Sequence, residues 1–560
     1  MSVSAEPSPG LKQSMGSAGQ EAPPDPNRPE EVLAAVGTPE QASPPPMDRT
    51  PVRGEGPGGS RHTYWQILKS SVLIGGSSAF NVAIGLVRSK IIALLLGPAG
   101  FGLMGLYTSV ANLGQSIAGM GINASGVRQI AAAVGTGETE RIARTAAVLR
   151  RTSVALGLLG ALLLIVLSRP VAVLTFGNAE RVLSVALLSL AVLFRTVSDG
   201  QGALIQGLRR ISDMARIGVL GGLVGTVGAV ALVYLLGERG VVPALVAMTG
   251  GTLVYSWWYS RKVRHERTPL TASQVFREAA ALLQLGFTFM ASGMLMMGAA
   301  YAVRIFIVRH AGFEAAGLYQ AAWTIGGLYV GFILQAMGAD FYPRLTAAVD
   351  NHEECNRIVN EQAQVSLLLA GPGVIATLVL APLVLPVFYS PAFREAAEIL
   401  RWICAGATLQ VITWPLGFIV IAKGKQAVFF WMEFAFAAVN LGLSYVLVRT
   451  IGVNGAGLAF FGSYLFHAAI VFPIGRWLTG FRWAAANARM ATLYIALIAV
   501  VFASSYVLPV WPATAVGLVA LLLTTVYSSR AIVRLVPADR LPGPFRRLLV
   551  AVRIAPPGYR

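Results

Sequence analysis

The chain has 560 residues, 55% of them apolar and only 12% charged, with a mean hydropathy of +0.64. Soluble domains carry about 25% charged residues, so this composition excludes a string of soluble domains and points to a bilayer. The net charge of +18 is scattered between apolar runs, which excludes a nucleic-acid patch and fits the Lys and Arg excess of cytoplasmic loops.

Residues 1–62 include "EAPPDPNRPEE" and "ASPPPMDRTPVRGEGPGG". This Pro-, Gly- and Ser-rich stretch has too little apolar surface to order itself and is expected to be a disordered cytoplasmic tail. It holds no continuous apolar run of the kind a secretory signal peptide needs.

Apolar segments long enough to span follow at 67–96, 101–125, 145–167, 182–206, 214–236, 241–260, 281–309, 315–338, 364–388, 399–422, 426–448, 455–475, 490–508 and 512–529. Each supplies about 20 residues, the length of a helix crossing a bilayer. The fold class is therefore all-α and polytopic, with about 14 transmembrane helices. With the N-terminus inside, the inside loops and C-terminal tail hold 27 basic residues against seven outside. Both termini are expected in the cytoplasm.

Residues 99–107, "AGFGLMGLY", contain the G-x-G-x-x-G spacing of a dinucleotide-binding turn, and residues 311–319 read "AGFEAAGLY". A nucleotide site needs a strand before the glycines and an acidic residue about 20 positions on. Here a spanning helix precedes, and no Asp or Glu occurs between Glu55 and Glu138. The glycines are instead expected to form a tight periplasmic turn and a close helix contact. The two stretches share six of nine residues at an offset of 212. Farther on, "VRQIAAAV" at 127–134 resembles "PRLTAAV" at 343–349, and Gly237 and Gly240 match Gly452 and Gly455, at offsets near 215. Six spans separate the copies, so this is a parallel repeat of two six-helix lobes, 63–262 and 278–478. Two peripheral helices at 488–530 and a basic cytoplasmic tail at 531–560 fall outside it. In the fifth span, Gly218/Gly222 and Gly221/Gly225 have small-xxx-small spacing, a packing signal.

Cys355 and Cys404 show no metal-ligand spacing, and no zinc-protease, nucleophile-elbow or Walker sequence occurs. No metal, cofactor or catalytic residue is expected. The informative residues are charges inside spans, which cost about 2.5–3.5 kcal/mol each on insertion scales. Arg88 and Lys90 lie in the first span, Arg195 in the fourth and Arg304 in the seventh. Asp199 stands at i+4 from Arg195 and neutralises it; Glu433 sits in the eleventh span and Asp340 at the inner end of the eighth. Arg88, Lys90 and Arg304 have no local carboxylate, which leaves two readings: snorkelling or interhelical pairing, and a cationic lining for an anionic substrate. Lys423 and Lys425, like Arg209 and Arg210, close helices on the inside, where anchoring is the default role and attraction of anionic headgroups the alternative.

"LGPAGFGLMGLY" after Lys90, Arg304 thirteen residues before "GLYQ", "FYPRLT" at 341–346 and "GFIVIAK" ending at Lys423 resemble the bacterial oligosaccharide flippases of the Wzx type. These are the O-antigen and enterobacterial-common-antigen lipid translocases of the multidrug/oligosaccharidyl-lipid/polysaccharide exporter superfamily. The resemblance covers roughly residues 64–478. It implies two lobes around a central cavity that faces either side of the inner membrane in turn, with undecaprenyl-pyrophosphate-linked glycan as cargo and the pyrophosphate held by cavity cations. By position Lys90, Arg304 and Lys423 match basic residues of the family; Arg88 joins them from the charge argument. Asp199, Asp340 and Glu433 are the candidates for ion or proton coupling. Expected partners are the lipid-linked glycan, membrane lipids, and a polysaccharide polymerase with its chain-length machinery, around a monomeric transport unit. The alternatives are a multidrug exporter of organic cations, which calls for unpaired carboxylates, and a polymerase or ligase of lipid-linked sugars, which calls for a large outside loop.

Overall fold

The computed structural model describes residues 57–136, 139–263 and 271–535. The expected N-terminal tail up to residue 56 and the basic tail beyond residue 535 lie outside the described residues. The described residues from 67 onward form one compact unit.

Every regular element among the described residues is a helix, as a chain in hydrocarbon requires, because a helix satisfies its own backbone. In chain order they are α1 (Pro57–Gly119), α2 (Ile122–Gly135), α3 (Thr139–Val166), α4 (Ser168–Phe176), α5 (Val182–Gly207), α6 (Ile211–Leu236) and α7 (Val241–Arg261). Then come α8 (Ala272–Ala347), α9 (His352–Phe388), α10 (Ala396–Ala422), α11 (Gln426–Ile451), α12 (Asn454–Thr479), α13 (Ala485–Val507) and α14 (Val510–Leu535). Among the described residues, eleven stretches are long and apolar enough to span. Three of them, 76–119, 211–261 and 293–331, each fold back on themselves and hold two crossings, at Gly97, at Gly237–Gly240 and at Gly312. That makes fourteen crossings, as the hydropathy pattern implies.

The end of the bundle with the Gly97, Gly237, Gly312 and Gly452 turns is here the upper end. Gly97 (φ 64°, ψ −173°) and Gly312 (φ 87°, ψ 177°) take backbone conformations that a side chain disfavours. Pro98 then opens the next helix, where its missing N–H costs nothing. These turns correct the repeat register. Gly97 and Gly312 are 215 residues apart, as are Gly237 and Gly452, so "AGFGLMGLY" and "AGFEAAGLY" are equivalent only after a shift of three residues. None of the three glycines of the G-x-G-x-x-G spacing makes the turn; all lie in the helix after it.

Gly102 makes the close helix contact, and Gly317 of the second copy answers it. A Cβ on Gly102 would overlap the Phe313 carbonyl and lie 2.6 Å from Gly317 N. A Cβ on Gly317 would overlap the Pro98 carbonyl and lie 3.1 Å from Gly102 N. Pro98 and Gly102 correspond to Phe313 and Gly317 at the 215 offset, so each copy meets the other through the same residues. This reciprocity is the signature of a local two-fold axis, and it passes between α1 and α8. Gly221 and Gly225 in α6 likewise admit the α7 backbone, their Cβ positions lying 3.0 Å from Thr252 Cα and 2.9 Å from Met248 Cα.

The segments read as connections are partly helical. The inside loop at 126–151 holds most of α2 and the first turns of α3, and the stretch between the third and fourth spans holds α4. α14 and α13 pack on α9, and the Tyr494 hydroxyl of α13 hydrogen-bonds Ser528 of α14.

Candidate functional site

The first and second sets of six spans meet above and below an internal cavity. Above it, beyond the Gly102–Gly317 crossing, Arg309 donates to the carbonyls of Val173 (2.8 Å) and Leu174 (2.6 Å) at the end of α4. The Thr175 and Tyr301 hydroxyls hydrogen-bond, and Arg181 lies over the rings of Phe176 and Phe313 at 5.6 and 5.4 Å. Below it, Gly121 and Gly286 meet backbone to backbone, and Arg144 Nε pairs with Glu278 Oε1 at 2.5 Å.

The cavity between these contacts has a volume of about 450 Å³. Its polar lining comes from both copies of the repeat: Arg88, Thr108, Ser109 and Asn112 from α1, Arg304 and Gln320 from α8. Arg88 lies nine residues before the Gly97 turn and Arg304 eight before the Gly312 turn, about 12–14 Å deep at 1.5 Å per residue. Symmetry alone pairs Arg88 with Val303 and Ser89 with Arg304. The two guanidiniums are thus one register step apart and still share a cavity.

Arg304 is held in place by neutral groups. Its Nε donates to Gln320 Oε1 at 3.0 Å and its NH1 to the Ala300 carbonyl at 2.9 Å. The Tyr319 ring lies 5.8 Å away, within cation–π range. Gln320 is itself fixed, donating to Thr324 Oγ1 at 3.3 Å. Gly105, the third glycine of the G-x-G-x-x-G spacing, faces Gln320; a Cβ there would lie 3.0 Å from Oε1. Gly105 and Gln320 are again 215 apart, so alignment on the turn glycines exposes a partner that the 212 offset hid. Arg88 reaches Thr226 Oγ1 at 3.5 Å, a long contact that leaves most of its five donors available. Among the described residues no carboxylate pairs with Arg88 or Arg304. Two guanidiniums thus line one partly polar cavity with no carboxylate beside them among the described residues, and the planar fork of Arg has a geometry that matches phosphate oxygens.

The other sequence candidates lie elsewhere. Lys90 is exposed and does not line the cavity; two residues on from Arg88 it points about 200° around the helix. Lys423 donates to the Val349 carbonyl, tying the end of α10 to the end of α8. Asp199 accepts from Gln115 at 2.7 Å and pairs with Arg195 at 3.3 Å, the expected neutralisation plus a partner that sequence did not suggest. Glu433 lines a second cavity of about 390 Å³, with His467 and the rings of Trp414 and Tyr464. Asp340 lies within α8, but its side chain is outside the described residues.

A family model described as "Polysaccharide biosynthesis protein" matches residues 91–398, more than half the chain. The lipid III flippase of Escherichia coli is 21% identical over 413 residues, spanning 72% of this chain and 97% of that protein. Two solved structures share the fold. A lipid II flippase, MurJ, in an inward closed conformation superposes with a TM-score of 0.61 at 12% identity, over 82% of this chain and all of the other. An inward-facing multidrug resistance MATE family transporter gives 0.58 at 18% identity, over 71% and 94%.

Proposed function

Because the chain belongs to the polysaccharide biosynthesis protein family, we propose that it flips an undecaprenyl-pyrophosphate-linked oligosaccharide, an O-antigen or related repeat unit, across the bacterial inner membrane. The relatives are flippases and transporters, so the activity is translocation rather than catalysis. The lower end, with the basic loops, faces the cytoplasm, and both termini lie there. The lobes 63–262 and 278–478 rock about the α1–α8 axis and expose the central cavity to each side in turn; 488–530 rides outside.

One observation carries the reading: Arg88 and Arg304, unpaired with any carboxylate among the described residues, line a single cavity between the two copies of the repeat. They hold the pyrophosphate, Arg304 as the pre-oriented fork and Arg88 as the mobile one. Lys90 and Lys423 serve the membrane interface and the α10–α8 junction. Of the three carboxylates, Glu433 is the one assigned to ion or proton coupling, since the described residues around its cavity include His467 and no Lys or Arg. Moving about two negative charges outward from a negative interior gains ~4.6 kcal/mol per 100 mV, so the membrane potential aids the step. A multidrug exporter of organic cations remains the rival; it shares the fold but calls for an anionic cavity.

The test is flipping of defined undecaprenyl-pyrophosphoryl oligosaccharides in proteoliposomes. Arg88→Ala and Arg304→Ala are expected to lower the rate at least tenfold, while Lys90→Ala stays near wild type. Full activity in both arginine variants, or transport of organic cations in place of the lipid, overturns the proposal.

A further inference from the structure

A groove of about 780 Å³ runs along the outside of the first six spans and shares no lining residue with the central cavity. Its walls are α3, with Arg150, Arg151, Val154, Ala155 and Leu158, and α7, with Leu253, Val254 and Trp257; α5 supplies Val197 and Gln201 between them. Leu158 and Val254 are more than half exposed, as hydrocarbon-facing residues are. Gln201 is buried, and its Oε1 already accepts from Ser256 at 2.6 Å, so the polar floor is satisfied. The two arginines at one end are both exposed. Among the described residues neither has an acidic partner.

Depth identifies what the groove meets. Arg150 lies sixteen residues from the upper end of α3 and Trp257 sixteen from the upper end of α7, each about 24 Å down at 1.5 Å per residue. Against a hydrocarbon thickness of about 30 Å, both sit at its lower boundary. An aromatic and cationic belt marks the same level: Arg261 lies 4.4 Å from the Trp257 ring, and Lys262 lies 5.6 and 4.6 Å from Trp258 and Tyr259. An apolar channel with a pair of unmatched guanidiniums at headgroup depth is complementary to one phosphate and one acyl chain.

We propose that this groove binds an anionic membrane phospholipid, its phosphate between Arg150 and Arg151 and one acyl chain along Val154, Leu158 and Val254. The lipid is a resident of the outer face of the first six spans, separate from any cargo held at Arg88 and Arg304. Two arginines at the interface contribute on the order of thirty-fold in selectivity for an anionic headgroup.

Native mass spectrometry of the full chain in detergent, titrated with phosphatidylglycerol or phosphatidylcholine, tests this. Phosphatidylglycerol is expected to bind the wild type far more tightly than phosphatidylcholine, and about thirty-fold less tightly to the Arg150→Gln/Arg151→Gln double variant. Leu158→Asn, which keeps both charges, is expected to weaken binding of long-chain but not short-chain phosphatidylglycerol. Should the double variant fail to fold, high salt on the wild type removes the same interaction and is expected to release the lipid. Equal retention of the two lipids, salt-insensitive binding, an unchanged double variant, or displacement by an equimolar amount of undecaprenyl phosphate overturns the proposal.

Discussion

Gly102→Ala probes the contact between the two copies of the repeat. The added methyl carbon would overlap the Phe313 carbonyl oxygen and stand 2.6 Å from Gly317 N and 3.2 Å from the Ala316 carbonyl carbon. These are backbone atoms and no rotamer change removes them. Ordinary contact needs about 3.5 Å, so α1 and α8 must part by roughly 1 Å at their crossing. Overpacking of this kind costs about 1–3 kcal/mol, and no helix-propensity gain of about 0.5–1 kcal/mol fully offsets it. Gly317→Ala is expected to cost as much, since it strikes the Pro98 carbonyl in the mirrored position. The double variant is expected to cost less than the sum, because helices already parted by one methyl accommodate the second. The control is Gly298→Ala, in the same α8, whose Cβ would meet nothing within 4 Å. Detergent-solubilised protein would be unfolded by SDS titration and by heat. If Gly102→Ala and Gly317→Ala are as stable as Gly298→Ala, or if their costs add, the reciprocal crossing is not a tight contact.

Gly105→Ala presses on Gln320 and is expected to loosen Arg304, lowering flipping by about ten- to a hundredfold through loss of a charged hydrogen bond of about 1.5–3 kcal/mol. Gln320→Ala is expected to match it, and normal flipping by both would detach Gln320 from the site. Arg304→Lys keeps the charge but not the fork and is expected to retain less than a tenth of the rate; a wild-type rate would reduce the arginine to a point charge. Lys423→Ala is expected to lower the melting temperature through the lost tie to the Val349 carbonyl, about 1–3 kcal/mol, with flipping by the surviving folded protein unchanged. Tyr494→Phe removes the hydroxyl that meets Ser528 and is expected to loosen α13 from α14 by about 1 kcal/mol, read as faster proteolysis within 508–535 at constant transport.

Hydropathy alone located the fourteen crossings because hydrocarbon leaves a backbone only the helix, and length then counts the helices. Local likeness was less reliable. The 212 offset maximised identity between two glycine-rich stretches, whereas the chain turns where a residue must take positive φ, at Gly97 and Gly312. Arg88, Lys90 and Arg304 stand out as charges within apolar runs, but composition carries no face. Only a helix phase relative to its neighbours separates Arg88, which lines the cavity, from Lys90, which does not. Gly105 belonged to the G-x-G-x-x-G spacing and Gln320 to "GLYQ", but neither stretch names the other as its partner. Their roles come from standing opposite one another across the axis. Gln115 was equally silent, since its contact with Asp199 joins residues 84 positions apart.

The register slip between the two arginines has a consequence for what the cavity recognises. Guanidiniums at equivalent positions would present an elongated anion with two interchangeable orientations related by the axis. With Arg304 equivalent to Ser89, Arg88 to Val303 and the bracing Gln320 to Gly105, a half-turn about the axis no longer maps the cavity onto itself. The pyrophosphate proposed to sit there would have distinguishable ends, one toward the braced fork and one toward the freer one. A duplicated chain has in this way acquired a cavity whose two ends differ, one bracing its arginine through Gln320 and the other not.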